Sequence, residues 1–125
     1  VVGTCDLPPV LDIEAFGSGM GNRAEEFLRE VDQSLGQAII YTNPSFWDTW
    51  MKDKPILAET HPLWIAHYNV GSPRLPKPWT SWTFWQYSQT GPGNNFGVSS
   101  RHIDLNVYAG TAEELLALAG FPAAT

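Results

Sequence analysis

Two acidic residues follow an apolar run near the start of the chain and could act together on a substrate. Asp12 and Glu14 lie in the segment LPPVLDIE, residues 7–14, with Ile13 between them. In a β-strand, residues i and i+2 face the same side, about 6.6 Å apart along the backbone. Two such carboxyls raise the pKa of one of them, so that it can stay protonated near neutral pH and serve as a general acid. That is the chemistry of glycoside hydrolysis, and the alternative is a pair of solvated acids at a strand end.

A third acid shows the same alternation near the other end of the chain. In the segment RHIDLNVY, Ile103 and Leu105 would face one side of a strand, and Asp104 and Asn106 the other. We therefore expect Asp104 to project from a strand in the way that the first two acids do. The alternative for this residue is a salt bridge or a helix cap.

Other kinds of site have little support in the sequence. The three histidines, His61, His67 and His102, show no i,i+4 pairing, so we expect no metal and no cofactor. The single cysteine, Cys5, excludes an internal disulfide and a thiolate zinc cluster, and we expect it to be a small buried hydrophobe. The sequence also lacks a Gly-x-Ser-x-Gly nucleophile and a glycine-rich phosphate loop.

The composition excludes two classes of partner. Thirteen acids against seven bases give a net charge of −6, which disfavours binding to nucleic acid and to anionic membranes. No run of about 18 apolar residues is present to span a membrane. The aromatic content is 13%, and aromatic rings at strand ends are candidates for a cleft that binds sugar rings.

Strand and helix patterns alternate in the first half of the chain. Strands are predicted at residues 9–14, 38–42, 63–68, 83–88 and 102–106. A first helix is predicted between an Asn22 cap and Gly36, and a short second helix starts at Pro44 after an Asn43 cap. A third helix is predicted from Thr111 to Gly120, where Thr111 and Glu114 form a capping box. The early alternation predicts an α/β fold with parallel strands, in one domain. A complete α/β barrel takes about 250 residues, so the pattern fits either the second part of a barrel or a small open sheet.

Five segments, taken in their order along the chain, carry a family resemblance. They are LPPVLDIE, AIIYTNPSFW, HPLWIAHYN, WTFWQYSQTG and HIDLNVYAGTAEEL. Together they resemble the family 25 glycoside hydrolases, the Chalaropsis-type lysozymes of bacteria, phages and some fungi. The resemblance implies the C-terminal part of an irregular (β/α)5(β)3 TIM-like barrel, in which the last strands lack helices.

The resemblance also implies an activity and assigns roles in it. The family cleaves the β-1,4 bond between N-acetylmuramic acid and N-acetylglucosamine in peptidoglycan, by a retaining, substrate-assisted mechanism. Glu14 matches the general acid/base, and Asp12 the companion acid that stabilises the substrate acetamido group. Substrate-binding roles carry over to Asp104, Tyr41, Tyr68, Trp85 and Gln86. The resemblance implies an extracellular or cell-wall-directed protein, either a secreted lysozyme or a phage endolysin.

The chain departs from the family pattern at its amino terminus. The family's first strands, one of which carries another active-site aspartate, have no counterpart in residues 1–125, and Asp6 is not a replacement. We therefore expect a partial catalytic domain, and three explanations stay open: another chain completes the barrel, the half-barrel self-associates, or the sequence is truncated or incomplete. Two other functions stay open, a non-catalytic glycan-binding half-barrel and a chitin-directed hydrolase.

Overall fold

A mixed five-stranded sheet organises the chain, of which the computed structural model describes residues 5–122. The strands are β1 (Val10–Ile13), β2 (Ile39–Thr42), β3 (Leu63–Ala66), β4 (Phe84–Pro92) and β5 (His102–Tyr108). The helices are α1 (Met20–Leu35), α2 (Pro44–Trp50), α3 (Pro55–Thr60) and α4 (Ala112–Leu118), and a 3₁₀ turn covers Gly93–Phe96. The α/β class predicted from the sequence is confirmed at this level.

The order of the strands in space is their order along the chain. Strands β1 to β4 pair in parallel, and β5 pairs antiparallel to β4. The carboxyl ends of the first four strands therefore lie at the same end of the sheet, and β5 begins at that end. Irregular pairing interrupts the ladder between β4 and β5, and a Cβ at Gly91 would stand 2.6 Å from the Leu105 side chain. Only glycine lets the two strands approach this closely.

One face of the sheet carries the hydrophobic core. Ile13, Ile40 and Ile65 project from adjacent strands into a cluster with the helices, and Ile40 and Ile65 have no exposed surface. Their helical partners include Leu28 of α1 and Trp47 of α2, both buried. The alternation of β-strands then sends the intervening residues to the opposite face.

A row of aromatic rings crosses that opposite face. Tyr41, Trp64, Phe84 and Tyr108 occupy paired positions on β2 to β5. Their ring centroids lie 5.7, 5.2 and 5.2 Å apart along the row. These distances are those of stabilising aromatic pairs, so the rings form one continuous wall.

Several local predictions at helix ends are confirmed. Asn43 caps α2 by accepting a hydrogen bond from the Phe46 amide at 2.9 Å, and Pro44 opens that helix. Thr111 and Glu114 form the expected capping box of α4. These devices depend only on residues within one helical turn, which explains why the sequence predicts them.

Other predictions at this level were wrong. Helix α1 begins at Met20, since Gly19, with φ at 68°, turns the chain into the helix before Asn22. Helix α3 was not predicted, although Pro55 stands in its first turn. Cys5 is exposed because it lies outside the sheet and the helical core.

One charge pairing also differs from that expected on helix spacing. The i,i+4 spacing on α1 would allow Glu25 to pair with Arg29, but the Glu25 carboxylate accepts a hydrogen bond from Lys54 Nζ at 2.6 Å. The segment after α2 lies against the first turns of α1, so a cation distant in sequence reaches Glu25.

We predict that Leu28→Ala in α1 lowers the free energy of unfolding by about 2–5 kcal/mol, because it leaves a cavity in the core. Leu28 is 1% exposed. Denaturant unfolding of the 125-residue chain measures this change. The matched control is Leu116→Ala in α4, where the side chain is 51% exposed and the expected change is about 0.5 kcal/mol or less. Equal losses in the two variants would contradict the one-sided core.

Candidate active site

Strand β1 presents two carboxyls at the carboxyl edge of the sheet. Asp12 pairs in register with Tyr41 of β2 and so projects on the aromatic face, while Ile13 points into the core. Glu14 directly follows the strand. The two carboxyls share a hydrogen bond. Asp12 thus has the predicted strand geometry, whereas Glu14 lies one residue beyond the end of the strand.

The environment of this pair favours a proton on Glu14. Asp12 and Glu14 are both exposed residues at the surface of the sheet. Partial loss of hydration raises the pKa of Glu14 above its ordinary value of 4.5, and the charge of Asp12, the shared hydrogen bond and the charge of Asp104 raise it further. Partial burial also raises the pKa of Asp12, but there the hydrogen bond from Glu14 acts in the opposite direction. The hydrogen bond between the two carboxyls thus favours Glu14 over Asp12 as the group that holds the proton.

Asp104 acts electrostatically on Glu14 from β5, the outer strand on the opposite edge of the sheet from β1. It lies near the beginning of β5, which runs antiparallel and so starts where β1 ends. Its charge raises the pKa of both Glu14 and Tyr68. Two residues later, Asn106 accepts a hydrogen bond from Trp64 Nε1 at 2.8 Å. This contact ties β5 to β3 across the intervening strand β4.

Two tyrosines and a glutamine line the floor beside the acids. The Tyr41 hydroxyl donates a hydrogen bond to Gln86 Oε1 at 2.5 Å, and Gln86 is 3% exposed. Burial raises the pKa of Tyr41 above its ordinary value, and the neighbouring Tyr68 and Glu14 add to this effect. Burial likewise raises the pKa of Tyr68. Both phenols therefore stay neutral and are available as hydrogen-bond donors and acceptors.

Trp85 stands apart from the other residues that the sequence grouped with it. It pairs with Ile65, packs against the helix-side core and donates a hydrogen bond from Nε1 to the His67 carbonyl at 2.8 Å. Trp85 and Tyr68 line one groove of about 430 Å³ at the rim of the sheet. The structure thus brings Trp85 to the border of the site and not to the face that carries the carboxyls.

The aromatic wall includes residues that were not among the predicted site residues. Trp64 and Phe84 share the face of Asp12 and Tyr41, with Trp64 edge-on to Tyr41 at 5.7 Å between centroids. The alternation of side chains along β3 and β4 indicates which residues share a face with Trp64 and with Phe84. It could not be used without knowing which face of the sheet the helices cover, because both faces of β4 carry aromatic rings.

Two negative findings concern residues 5–122. No group of three or more His, Cys, Asp or Glu side chains is arranged there to hold a metal ion. None of the helices in that range has both the length and the apolar character needed to cross a membrane.

Comparison with known proteins gives a consistent family. The model of glycosyl hydrolases family 25 matches residues 2–96. Lysozyme M1 of Streptomyces globisporus is 37% identical, over 90% of this chain and 41% of the relative. The crystal structure of a lysozyme from Streptomyces coelicolor superposes with a TM-score of 0.78 at 38% identity, over 90% of this chain and 56% of that one. A muramidase from Acremonium alcalophilum gives a TM-score of 0.75 at 31% identity, with the same coverage.

The chain spans between two fifths and three fifths of the length of these three proteins. The family match contains the carboxyl pair, both tyrosines and Gln86, and it ends before Asp104. Since the match covers well over half of the chain, and the solved structures share its sheet, the chain belongs to glycosyl hydrolases family 25.

Proposed function

We propose that this chain is a catalytic segment of a peptidoglycan hydrolase that cleaves the β-1,4 bond between N-acetylmuramic acid and N-acetylglucosamine. The observation that carries the proposal is the pair of Asp12 and Glu14 at the carboxyl end of β1, where the charge of Asp12 raises the pKa of Glu14. A protonated and an ionised carboxyl side by side are the two groups that glycoside hydrolysis needs. Similar proteins named lysozyme and muramidase support this substrate.

Membership of the family favours a retaining, substrate-assisted reaction. Glu14 donates its proton to the glycosidic oxygen as the bond to the anomeric carbon breaks, and the substrate acetamido oxygen forms a bond to that carbon. Ionised Asp12 stabilises the positive charge that develops on the acetamido group. Water then attacks the anomeric carbon, the acetamido oxygen leaves, and the Glu14 carboxylate takes the proton of the water. Asp104, Tyr41, Tyr68 and Gln86 would hold the sugar beside the acids, with Trp85 at the rim.

The same proposal extends to the architecture. Residues 1–125 would form the C-terminal part of an irregular (β/α)5(β)3 TIM-like barrel, and the aromatic face would be its inner wall. In the described residues, β1 and β5 each pair with a single strand, and the chain covers 56% of the Streptomyces coelicolor lysozyme. A complementary chain or self-association would supply the remaining strands, because unpaired strand edges attract partners. The protein would act outside the cell, on the wall.

We predict that Glu14→Gln lowers muramidase turnover by about 10² to 10⁴, because it removes the transferable proton and preserves the shape of the side chain. Asp12→Asn should also lower turnover, by weakening stabilisation of the acetamido-derived intermediate. Release of reducing ends from peptidoglycan is measured for the 125-residue chain alone and together with the N-terminal part of the Streptomyces coelicolor lysozyme.

The control for this experiment is Glu59→Gln, on an exposed position of α3 away from the carboxyl pair. Near-normal turnover by folded Glu14→Gln would show that Glu14 is not the acid. Peptidoglycan binding without hydrolysis by the parent protein would favour the glycan-binding half-barrel. Faster hydrolysis of chitin than of peptidoglycan would favour the chitin-directed enzyme.

We further predict that Glu14→Gln raises the thermal midpoint at pH 7 and leaves it nearly unchanged at pH 3. A carboxyl whose pKa is raised in the folded state contributes stability below its ordinary value of 4.5, which is lost as the pH rises through the folded value. The amide cannot ionise and so avoids this loss. Thermal melts at pH 3, 5 and 7 measure the difference between the two proteins.

Glu25→Gln is the control of opposite sign. The hydrogen bond from Lys54 lowers the pKa of Glu25, so its contribution is present above 4.5 and is lost as the pH falls. This variant should melt below the parent at pH 7. A gain by Glu14→Gln of the same size at all three pH values would mean that ionisation is not its cause.

A further inference from the structure

Two large aromatic side chains lie against each other on the surface instead of in the core. Phe16 is 66% exposed and Trp50 is 46% exposed. Their ring centroids are 4.4 Å apart, with 45° between the ring planes. Large aromatic residues usually bury most of their surface, so an exposed pair in mutual contact leaves apolar area available to a ligand.

Phe16 and Trp50 lie near the carboxyl end of β1, the end of the strand at which Asp12 and Glu14 stand. Phe16 follows Glu14 by two residues, directly beyond the carboxyl end of β1. Trp50 is the last residue of α2, and the segment after it is anchored beside the first turns of α1 by the Lys54–Glu25 ion pair at 2.6 Å. The first turns of α1 directly follow the loop that leaves β1, and Phe16 lies in that loop. The pair therefore lies outside the sheet, beyond the carboxyl end of the strand that Glu14 follows.

A cavity beside β1 is lined by one member of the aromatic pair and one of the two acids. Phe16 and Asp12 both border this space of about 420 Å³, and α1 bounds its other side. A ligand that reaches Asp12 through this space would meet the exposed ring of Phe16. The core does not need this exposed area, because Trp47 and Met51, the core residues nearest in sequence to Trp50, are fully buried without it.

We propose that Phe16 and Trp50 form a sugar-binding platform that holds the glycan strand beside the cleaved bond. The inference rests on the proposed function, which supplies a polymer that must continue past the two acids. A pyranose ring offers a face of C–H groups, which carry a partial positive charge and stack on the negative face of an aromatic ring. The platform would therefore contribute to binding and to the placement of the strand, and not to proton transfer.

The test is the affinity of the 125-residue chain for a tetrasaccharide of alternating N-acetylglucosamine and N-acetylmuramic acid. Calorimetry and tryptophan fluorescence measure this affinity. Every variant also carries Glu14→Gln, which blocks hydrolysis during the measurement. We expect Trp50→Ala and Phe16→Ala each to weaken binding about tenfold. Trp50→Phe should keep most of the affinity, since it keeps an aromatic face. Trp50→Leu keeps apolar volume without that face and should bind as weakly as Trp50→Ala.

The matched control is Phe121→Ala. Phe121 is 51% exposed and follows α4, whose last turn lines a cavity with the residues that precede β1, β3 and β4, at the opposite end of the sheet. Its removal should leave the affinity unchanged. Equal affinity for the Trp50→Phe and Trp50→Leu variants, at equal thermal midpoints, would overturn the proposal. An equal loss on Phe121→Ala, or no binding by the parent, would do so as well.

Failure of this inference can be told from failure of the proposed function. If Glu14→Gln abolishes hydrolysis while Trp50→Ala binds the tetrasaccharide normally, the platform is wrong and the function stands. If the parent binds the tetrasaccharide through Trp50 but never hydrolyses peptidoglycan, the platform stands and the function is wrong.

Discussion

Parallel pairing of the first four strands is the constraint on which the site depends. It brings four carboxyl ends to one edge of the sheet, and the register of β1 with β2 places Asp12 and Tyr41 on the same face. Strand β5 runs in the opposite direction, so it begins at the end of the sheet where the other four strands finish. Asp104, near the beginning of β5, therefore raises the pKa of Glu14 although the two residues lie on opposite outer strands. A shift of one residue in either register would turn these side chains into the core.

The position of the helices decides which face of the sheet is free. All the core helices pack on the face of Ile13 and Ile65, and the hydroxyl of Thr42 on that face is satisfied by the Ile13 carbonyl at 2.6 Å. The other face is left to polar and aromatic groups, which are held by hydrogen bonds between side chains. The Tyr41–Gln86 contact is of this kind, and the buried Gln86 side chain would be costly to leave unpaired.

The electrostatics of the carboxyl pair oppose the stability of the fold near neutral pH. Burial and neighbouring acids make ionisation of Glu14 unfavourable, and the surrounding structure must offset that cost. The raised pKa of Glu14 favours retention of its proton relative to an ordinary glutamate. The hydrogen bond with Glu14 acts in the opposite direction on Asp12 and favours its ionised form. Neighbouring groups thus act differently on two adjacent carboxyls.

The sequence by itself determined what depends on near neighbours: the strand periods, the helix caps, and the common side of Asp12 and Glu14. These features follow from backbone geometry within a few residues. Only the tertiary structure decided that Glu25 pairs with Lys54, and that Trp85 turns to the helices. Both faces of β4 carry aromatic rings, so period alone could not say which face the core would cover. That choice depends on how crossover helices pack against the whole sheet, through contacts between residues far apart in the chain.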